Sequence, residues 1–192
     1  MSIQMISPSE LRFDEKEHKY WLGKKRVPSV TEILRKVGLS KDFTGIDPFY
    51  ADRGTATHLA IQYFLEHRLD ETSLDPIIVP YFEGFKKYYA ENFMDKPRCE
   101  VIGSYTDKFA GRIDCVTEHE IIDWKCSKSH DKAAELQGEA YKLIECGEAV
   151  SKTFKVVQFP GDGSYEVFDY GMLTNHWPSV MNLYRWKTNK GE

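Results

Sequence analysis

Gly111-Arg112-Ile113-Asp114-Cys115-Val116, then Ile121-Ile122-Asp123-Trp124-Lys125, then Gln137-Gly138-Glu139-Ala140-Tyr141 are the segments whose reading decides the fold. In an extended segment alternate side chains share a face, so Asp123 and Lys125 point one way and Trp124 the other. The β-branched pair Ile121-Ile122 leads into them, as a buried strand does before it delivers polar groups at its end. A second strand-like run, Arg112 to Thr117, holds Asp114 behind Gly111, and the polar interval Glu118-His119-Glu120 suits a tight hairpin. Antiparallel pairing of the two runs brings Asp114 close to Asp123. Two adjacent carboxylates repel unless a proton or a cation neutralises them. A hard oxygen site of this kind suits Mg²⁺ or Mn²⁺.

The segment that follows is helical in period. Gln137 and Tyr141 stand four apart and share a face, while Leu136, Ala140, Leu143 and Ile144 form the neighbouring apolar stripe that packs on a sheet. The pattern acid-x-Lys also occurs at Asp14-Glu15-Lys16 and Glu17-His18-Lys19. Those two lie in a run of charges with no apolar lead-in and read as a solvated turn or strand edge. Only Asp123-Trp124-Lys125 has a buried strand before it, an Asp on the preceding strand and a helix after it.

In that order the residues resemble the PD-(D/E)xK nuclease superfamily, and within it the RecB-like exonuclease branch of phage-type enzymes. The branch shows a helical His, an acid on the first core strand, Gly-x-x-Asp, Asp-x-Lys and then Gln-x-x-x-Tyr. The matching residues are His58 in Arg53-Gly54-Thr55-Ala56-Thr57-His58, Glu100 in Cys99-Glu100-Val101, Asp114, Asp123 with Lys125, and Gln137 with Tyr141. Tyr20-Trp21-Leu22-Gly23 followed by Val27-Pro28-Ser29-Val30-Thr31 also looks like the opening of such members, so the resemblance spans roughly residues 20 to 141. It implies a Mg²⁺- or Mn²⁺-dependent DNA exonuclease of phage or bacterial recombination, repair or replication. His58, Asp114, Asp123 and the Trp124 backbone carbonyl hold the cation. Asp114, Asp123, Lys125 and Glu100 are catalytic: Lys125 positions or helps deprotonate the attacking water and offsets charge, and Glu100 holds that water or a second cation. Gln137 and Tyr141, with the nearby cations Arg112 and Lys128, contact the substrate. The alternatives are a structure-specific or nicking endonuclease, and a non-catalytic DNA-binding or inhibitor protein on the same fold. Intact Asp114, Asp123 and Lys125 speak against the last. His18, His67, His119, His130 and His176 are assigned no role. The expected partner is DNA, single-stranded or with free ends. The resemblance leaves room for a homo-oligomer and for a recombination or single-strand-binding protein as a further partner.

Composition bounds the rest. With 192 residues, 41% hydrophobic and 14% aromatic, the chain can bury a full core without staples. No apolar run approaches the length of a membrane span, and Met1 to Glu10 lacks the pattern of a signal peptide, so a soluble intracellular protein is expected; the resemblance implies the cytoplasm of a bacterium or a phage-infected cell. Cys99, Cys115, Cys126 and Cys146 lack metal-binding spacing, and no cysteine follows Cys146, so no iron-sulfur cluster is expected. A formal charge of -4 is unfavourable for binding a polyanion, so phosphate binding must come from local clusters. The clusters are Lys24-Lys25-Arg26, Lys86-Lys87, the set Arg112, Lys125, Lys128 and Lys132, and Arg185, Lys187 and Lys190.

The expected fold is α/β: a central mixed β-sheet flanked by helices, a restriction-endonuclease-like core, with an N-terminal hairpin and helical elaboration. One domain spans 1–192. Residues 1–95 supply a hairpin, Leu11 to Val27, and a helical wall carrying His58; residues 96–192 supply the sheet. Helices are expected from Ser29, an N-cap with Glu32 at the capping-box position, to Gly38, from Phe49 to His67, from Asp75-Pro76 through Tyr89, and from Asp131 to Glu145. Strands are expected at 98–105, 109–117 and 120–125, then a hairpin of 153–159 and 164–170 about Pro160-Gly161-Asp162-Gly163, and a closing helix through Trp177, Val180, Met181 and Tyr184.

Overall fold

Period-two runs rich in Val, Ile and aromatics build the sheet, and the one long apolar connection between two of them decides its mixed character. The computed structural model describes residues 11–40, 45, 47–92, 95, 97–149, 152–171 and 175–189. Two sheets are present among them. The first joins β1 (Leu11–Asp14), β2 (Lys19–Leu22) and β3 (Lys25–Val27) antiparallel. The second has the order β4 (Arg98–Tyr105), β5 (Phe109–Val116), β6 (Glu120–Lys125), β7 (Thr153–Gln158) and β8 (Glu166–Gly171). The short Tyr105 to Phe109 and Val116 to Glu120 connections force antiparallel pairing of β4, β5 and β6. Between β6 and β7 the chain crosses over through α4 (Ala133–Cys146), which makes that pair parallel.

Helices cover both faces. On one face α1 (Val30–Val37), α4 and α5 (Trp177–Thr188) bury Ile33, Leu34, Ala140 and Trp177 against Phe109, Ile113, Ile121 and Phe154. On the other, α2 (Pro48–Leu65) and α3 (Val79–Glu91) bury Ile61, Phe82 and Phe85 against Cys115, Ile122, Trp124 and Phe159. Gly138 lets α4 lie close to the sheet, since a Cβ there would come within 2.3 Å of the Phe154 ring.

Four details differ from the sequence reading. The segment Leu11 to Val27 is a three-stranded meander, because the charged run Asp14 to Lys19 makes a second turn beside Gly23-Lys24. The third helix begins at Val79, three residues after Pro76, since Pro80 fits only the first turn of a helix. At α1 the Ser29 hydroxyl accepts the Glu32 N–H at 3.0 Å, but the Glu32 carboxylate pairs with Arg26 at 2.7 Å, so half of the capping box forms. The expected N-terminal wall is divided: α1, apolar at Val30, Ile33, Leu34 and Val37, joins the main core beside α5, and α2 alone carries His58 to the site. Residues 1–10 and Lys190 lie outside the described residues.

Candidate active site

The site begins with a fault in the sheet. Along β5, Phe109, Gly111 and Ile113 face α4, as alternation requires; the next residue to rejoin that cluster is Val116, while Cys115 packs on the α2/α3 side. The alternation therefore slips by one at Asp114. Opposite it on β4, Glu100 has φ +50°, between the register pairs Cys99↔Cys115 and Val101↔Ile113. A left-handed conformation at a residue with a Cβ costs roughly 1–2 kcal/mol and persists only where the surroundings enforce it.

β5 and β6 also part at this level. Their recorded pairs are Val116↔Ile121 and Cys115↔Ile122. One step further, the Trp124 N–H donates to the Asp114 carboxylate at 2.8 Å instead of to a backbone carbonyl. The N–H and C=O of one residue in an extended strand face the same neighbour, so the Trp124 carbonyl also looks across the gap.

Three ligand-type side chains converge there. His58 from α2, Glu100 from β4 and Asp114 from β5 each place one ligand atom within 4.8 Å of the others. His58 Nδ1 lies 3.6 Å from Asp114 Oδ1, and the His58 ring hydrogen-bonds the Trp124 backbone in the sense that raises its pKa, as donation to the carbonyl does. Glu100 is tethered by Arg112 at 2.7 Å, and the Arg112 guanidinium lies 5.5 Å from the centroid of the Phe13 ring. On the other side of the gap, Asp123 Oδ2 meets Lys125 Nζ at 2.6 Å. Asp123 Oδ1 accepts from the Gln137 amide at 3.1 Å, and the same amide donates to the Tyr141 hydroxyl at 2.7 Å. The i, i+4 face of α4 thus orients the acid of Asp-x-Lys.

Titration follows from this packing. Burial, opposed by Lys125 and reinforced by Asp114, lifts Asp123 to about 6. Burial and the Asp114 charge lift Glu100 to about 7 against the pull of Arg112. Asp114 is also raised by burial, although Lys125 and the Trp124 N–H favour its charged form. His58 is pushed down to about 4 by burial and by Lys125, so it is a neutral imidazole at pH 7. For Lys125, burial is outweighed by Asp123 and Asp114, and its ammonium is held above the ordinary lysine value.

This donor set fits a hard divalent cation. It offers three carboxylates and a neutral imidazole around one gap. Glu100 Oε2 and Asp123 Oδ2 touch their cationic neighbours without hydrogen-bond geometry and have no hydrogen-bond partner among the described residues. A carboxylate has about four lone-pair sites, so their ion pairs leave acceptor capacity for a metal.

All these groups line one cleft of about 910 Å³ between the small sheet, α2 and the parted strands. Arg112, Gln137 and Tyr141 are part of it; Lys128 is exposed on the loop between β6 and α4 and does not line it. Phe13, His18 and Tyr20 of the small sheet form its outer wall, and sequence reasoning assigned them nothing at the site. His18 has φ +53° and sits edge-on to Phe13 at 5.1 Å, with its pKa lowered by burial and then Arg112. No period or spacing marks those three, because the contact arises from packing of a separate sheet. Several basic clusters are committed elsewhere: Lys25 to Asp107 at 2.6 Å, Arg26 to Glu32, and Lys86 to Glu71 and Glu83, both at 2.9 Å.

No protein-family model matches the chain, and no match to a curated protein was found. A solved structure titled "Crystal structure of SSO0001" is similar over 85% of this chain and 75% of its own, at 14% identity and a TM-score of 0.45. Among the described residues no helix is long and apolar enough to cross a membrane.

Proposed function

We propose that this chain is a divalent-metal-dependent nuclease that hydrolyses phosphodiester bonds of DNA from free ends, with a place in phage or bacterial recombination, repair or replication. The observation that carries the reading is the convergence of His58, Glu100 and Asp114 within 4.8 Å, across a parted strand pair from an Asp123–Lys125 ion pair. An Asp-x-Lys pair alone is a common surface motif. An Asp-x-Lys pair facing a strained acid and a half-buried neutral histidine is a site built to hold charge.

His58, Asp114, Asp123 and the Trp124 carbonyl would hold the cation. When bound, Mg²⁺ or Mn²⁺ polarises a phosphate oxygen and lowers the pKa of water. Lys125 is held protonated by its two aspartates, so its role is to donate to a phosphate oxygen and offset the charge that gathers in the transition state. Glu100 titrates near neutrality and is placed to hold the attacking water and take its proton. Gln137 fixes the Asp123 carboxylate, and Arg112 fixes Glu100. A cleft walled on both sides by polypeptide accepts a single-stranded end more readily than an uninterrupted duplex.

The test is digestion of linear and covalently closed circular DNA, single- and double-stranded, with Mg²⁺, Mn²⁺ or EDTA. Metal-dependent loss of linear single strands, with circles spared, is the expected result. Circles cut as fast as linear ends would replace the exonuclease reading with an endonuclease; no cleavage of any form would remove the enzyme.

A further inference from the structure

Two of the cysteines are neighbours across the sheet. Cys99 on β4 and Cys115 on β5 are register partners in the antiparallel pair, and both are free thiols. Directly opposed residues of such a pair have Cα atoms about 4.5–5.5 Å apart and side chains on one face. A disulfide spans Cα atoms about 4.4–6.8 Å apart, so the backbone as folded already meets its reach. The two thiols also lie within hydrogen-bonding reach of each other. The other cysteines have different surroundings. Cys126 lies past the end of β6, about 13 Å along an extended chain from Ile122, the β6 partner of Cys115, and it contacts Thr57 of α2. Cys146 closes α4, the helix on the opposite face of the sheet.

Access to the pair is graded. Cys115 is buried beneath α2 and α3, whereas Cys99 stands half-buried on β4, the edge strand of the sheet. A small oxidant in solvent therefore meets Cys99 first, with Cys115 behind it. A two-cysteine sensor needs that order: an accessible sulfur that is oxidised, and a protected one beside it that resolves the product.

We propose that Cys99 and Cys115 form a peroxide-responsive dithiol that closes to a disulfide between β4 and β5. In the first step the Cys99 sulfur attacks one oxygen of hydrogen peroxide; the O–O bond breaks, water leaves, and Cys99 becomes a sulfenic acid. In the second, the Cys115 sulfur attacks the Cys99 sulfur; the S–O bond breaks, and the departing hydroxide takes up the Cys115 thiol proton and leaves as a second water. Two electrons pass from the pair of thiols to peroxide, and a dithiol reductant returns them by exchange. The bond falls beside Glu100 and Asp114, where the strands leave their register between Cys99↔Cys115 and Val101↔Ile113. Glu100 holds a φ of +50°, and a covalent tie at the preceding residue keeps that backbone from relaxing. The oxidised chain is therefore the more rigid form. The dithiol is independent of the nuclease reading.

The test treats the full chain, folded and metal-free, with hydrogen peroxide, then alkylates the remaining thiols with iodoacetamide in denaturant and maps the peptides by mass. The expected result is alkylation at Cys126 and Cys146 alone, with a peptide linked through Cys99 and Cys115 that dithiothreitol separates. The Tm of the oxidised chain should rise by about 6–12 °C, from closing a loop of about 15 residues. Cys99→Ser should form no link and show no rise. Cys115→Ala should stop at a Cys99 sulfenic acid that dimedone traps; because Cys115 is buried, the mapping of the wild-type chain decides the matter without it. Alkylation of all four cysteines after peroxide, oxidation of Cys99 without linkage to Cys115, or linkage to Cys126, Cys146 or a second chain overturns the proposal. A linked chain whose Tm stays unchanged overturns its stabilising role.

Discussion

On β6, Ile122 and Trp124 look toward α2 and α3, while Asp123 and Lys125 look toward α4 and the gap beside β5. The first face is an aromatic core: the Trp124 ring lies 5.7 Å from Phe85, 5.8 Å from Tyr88 and 6.0 Å from Phe159, and each of the four is at most 1% exposed. The second carries an acid lifted to about 6, beside a glutamate lifted to about 7 and a left-handed backbone. Burying aromatic surface stabilises a fold, and burying ionisable groups opposes it. One six-residue strand therefore carries stability on one side and stored unfavourable charge on the other, and under the proposed function that charge is what a cation would relieve.

The largest expected effect breaks the charged face. Asp114→Asn takes the negative charge from a proposed metal donor while its amide oxygen can still accept the Trp124 N–H, and should lower DNA cleavage about a thousandfold or more, on the scale of losing a transition-state stabiliser. Single-turnover rates at saturating Mn²⁺ would check it; a rate within tenfold of wild type would show that the carboxylate is structural. Gln137→Leu acts one contact further out. It frees the Asp123 carboxylate to rotate and should cost about 10- to 100-fold in metal affinity or turnover, read by Mn²⁺ titration.

The opposite face sharpens the contrast. Trp124→Leu opens a cavity in the aromatic cluster and should destabilise the chain by about 2–4 kcal/mol in urea unfolding, while cleavage per folded molecule stays within about threefold. Loss of activity without loss of stability would mean that the two faces are not separable.

The smallest effect is in pH. Asp123 and Glu100 are raised on folding, so each contributes stability that is fully present below its unfolded value and is lost as pH rises through about 6 and about 7. His58, held at about 4, runs the other way and returns part of that loss between about pH 4 and 6.5. The metal-free Tm should fall between about pH 4 and 7.5, and the rise in Tm on adding Mn²⁺ should grow over the same interval, because proton and cation compete for the same oxygens. Asp123→Asn should flatten the lower part of that slope. A Mn²⁺ shift that does not change with pH would place the metal elsewhere.

Much of this contrast was legible in the chain before folding. The alternation of Ile121 to Lys125 predicts which side chains share a face, and the four-residue spacing of Gln137 and Tyr141 predicts their common approach to the strand. The βαβ crossover follows from an apolar helix between two strand-like runs. The slip at Asp114 and the strain at Glu100 leave no pattern, since a one-residue change of phase preserves residue type and register. The outer wall of Phe13, His18 and Tyr20 was hidden for another reason: it comes from a separate sheet about a hundred residues away in the chain. Lys128, near Lys125 in sequence, stands exposed on the loop between β6 and α4 and does not line the cleft, a placement that nearness in sequence does not fix.

The most direct measurement is cleavage of end-labelled single-stranded DNA with Mn²⁺ or EDTA, comparing wild type, Lys125→Ala and Trp124→Leu. The account predicts a metal-dependent ladder from wild type and Trp124→Leu, none from Lys125→Ala, and none from any of them in EDTA. Silence from all three with DNA binding retained, or equal cleavage by wild type and Lys125→Ala, would contradict it.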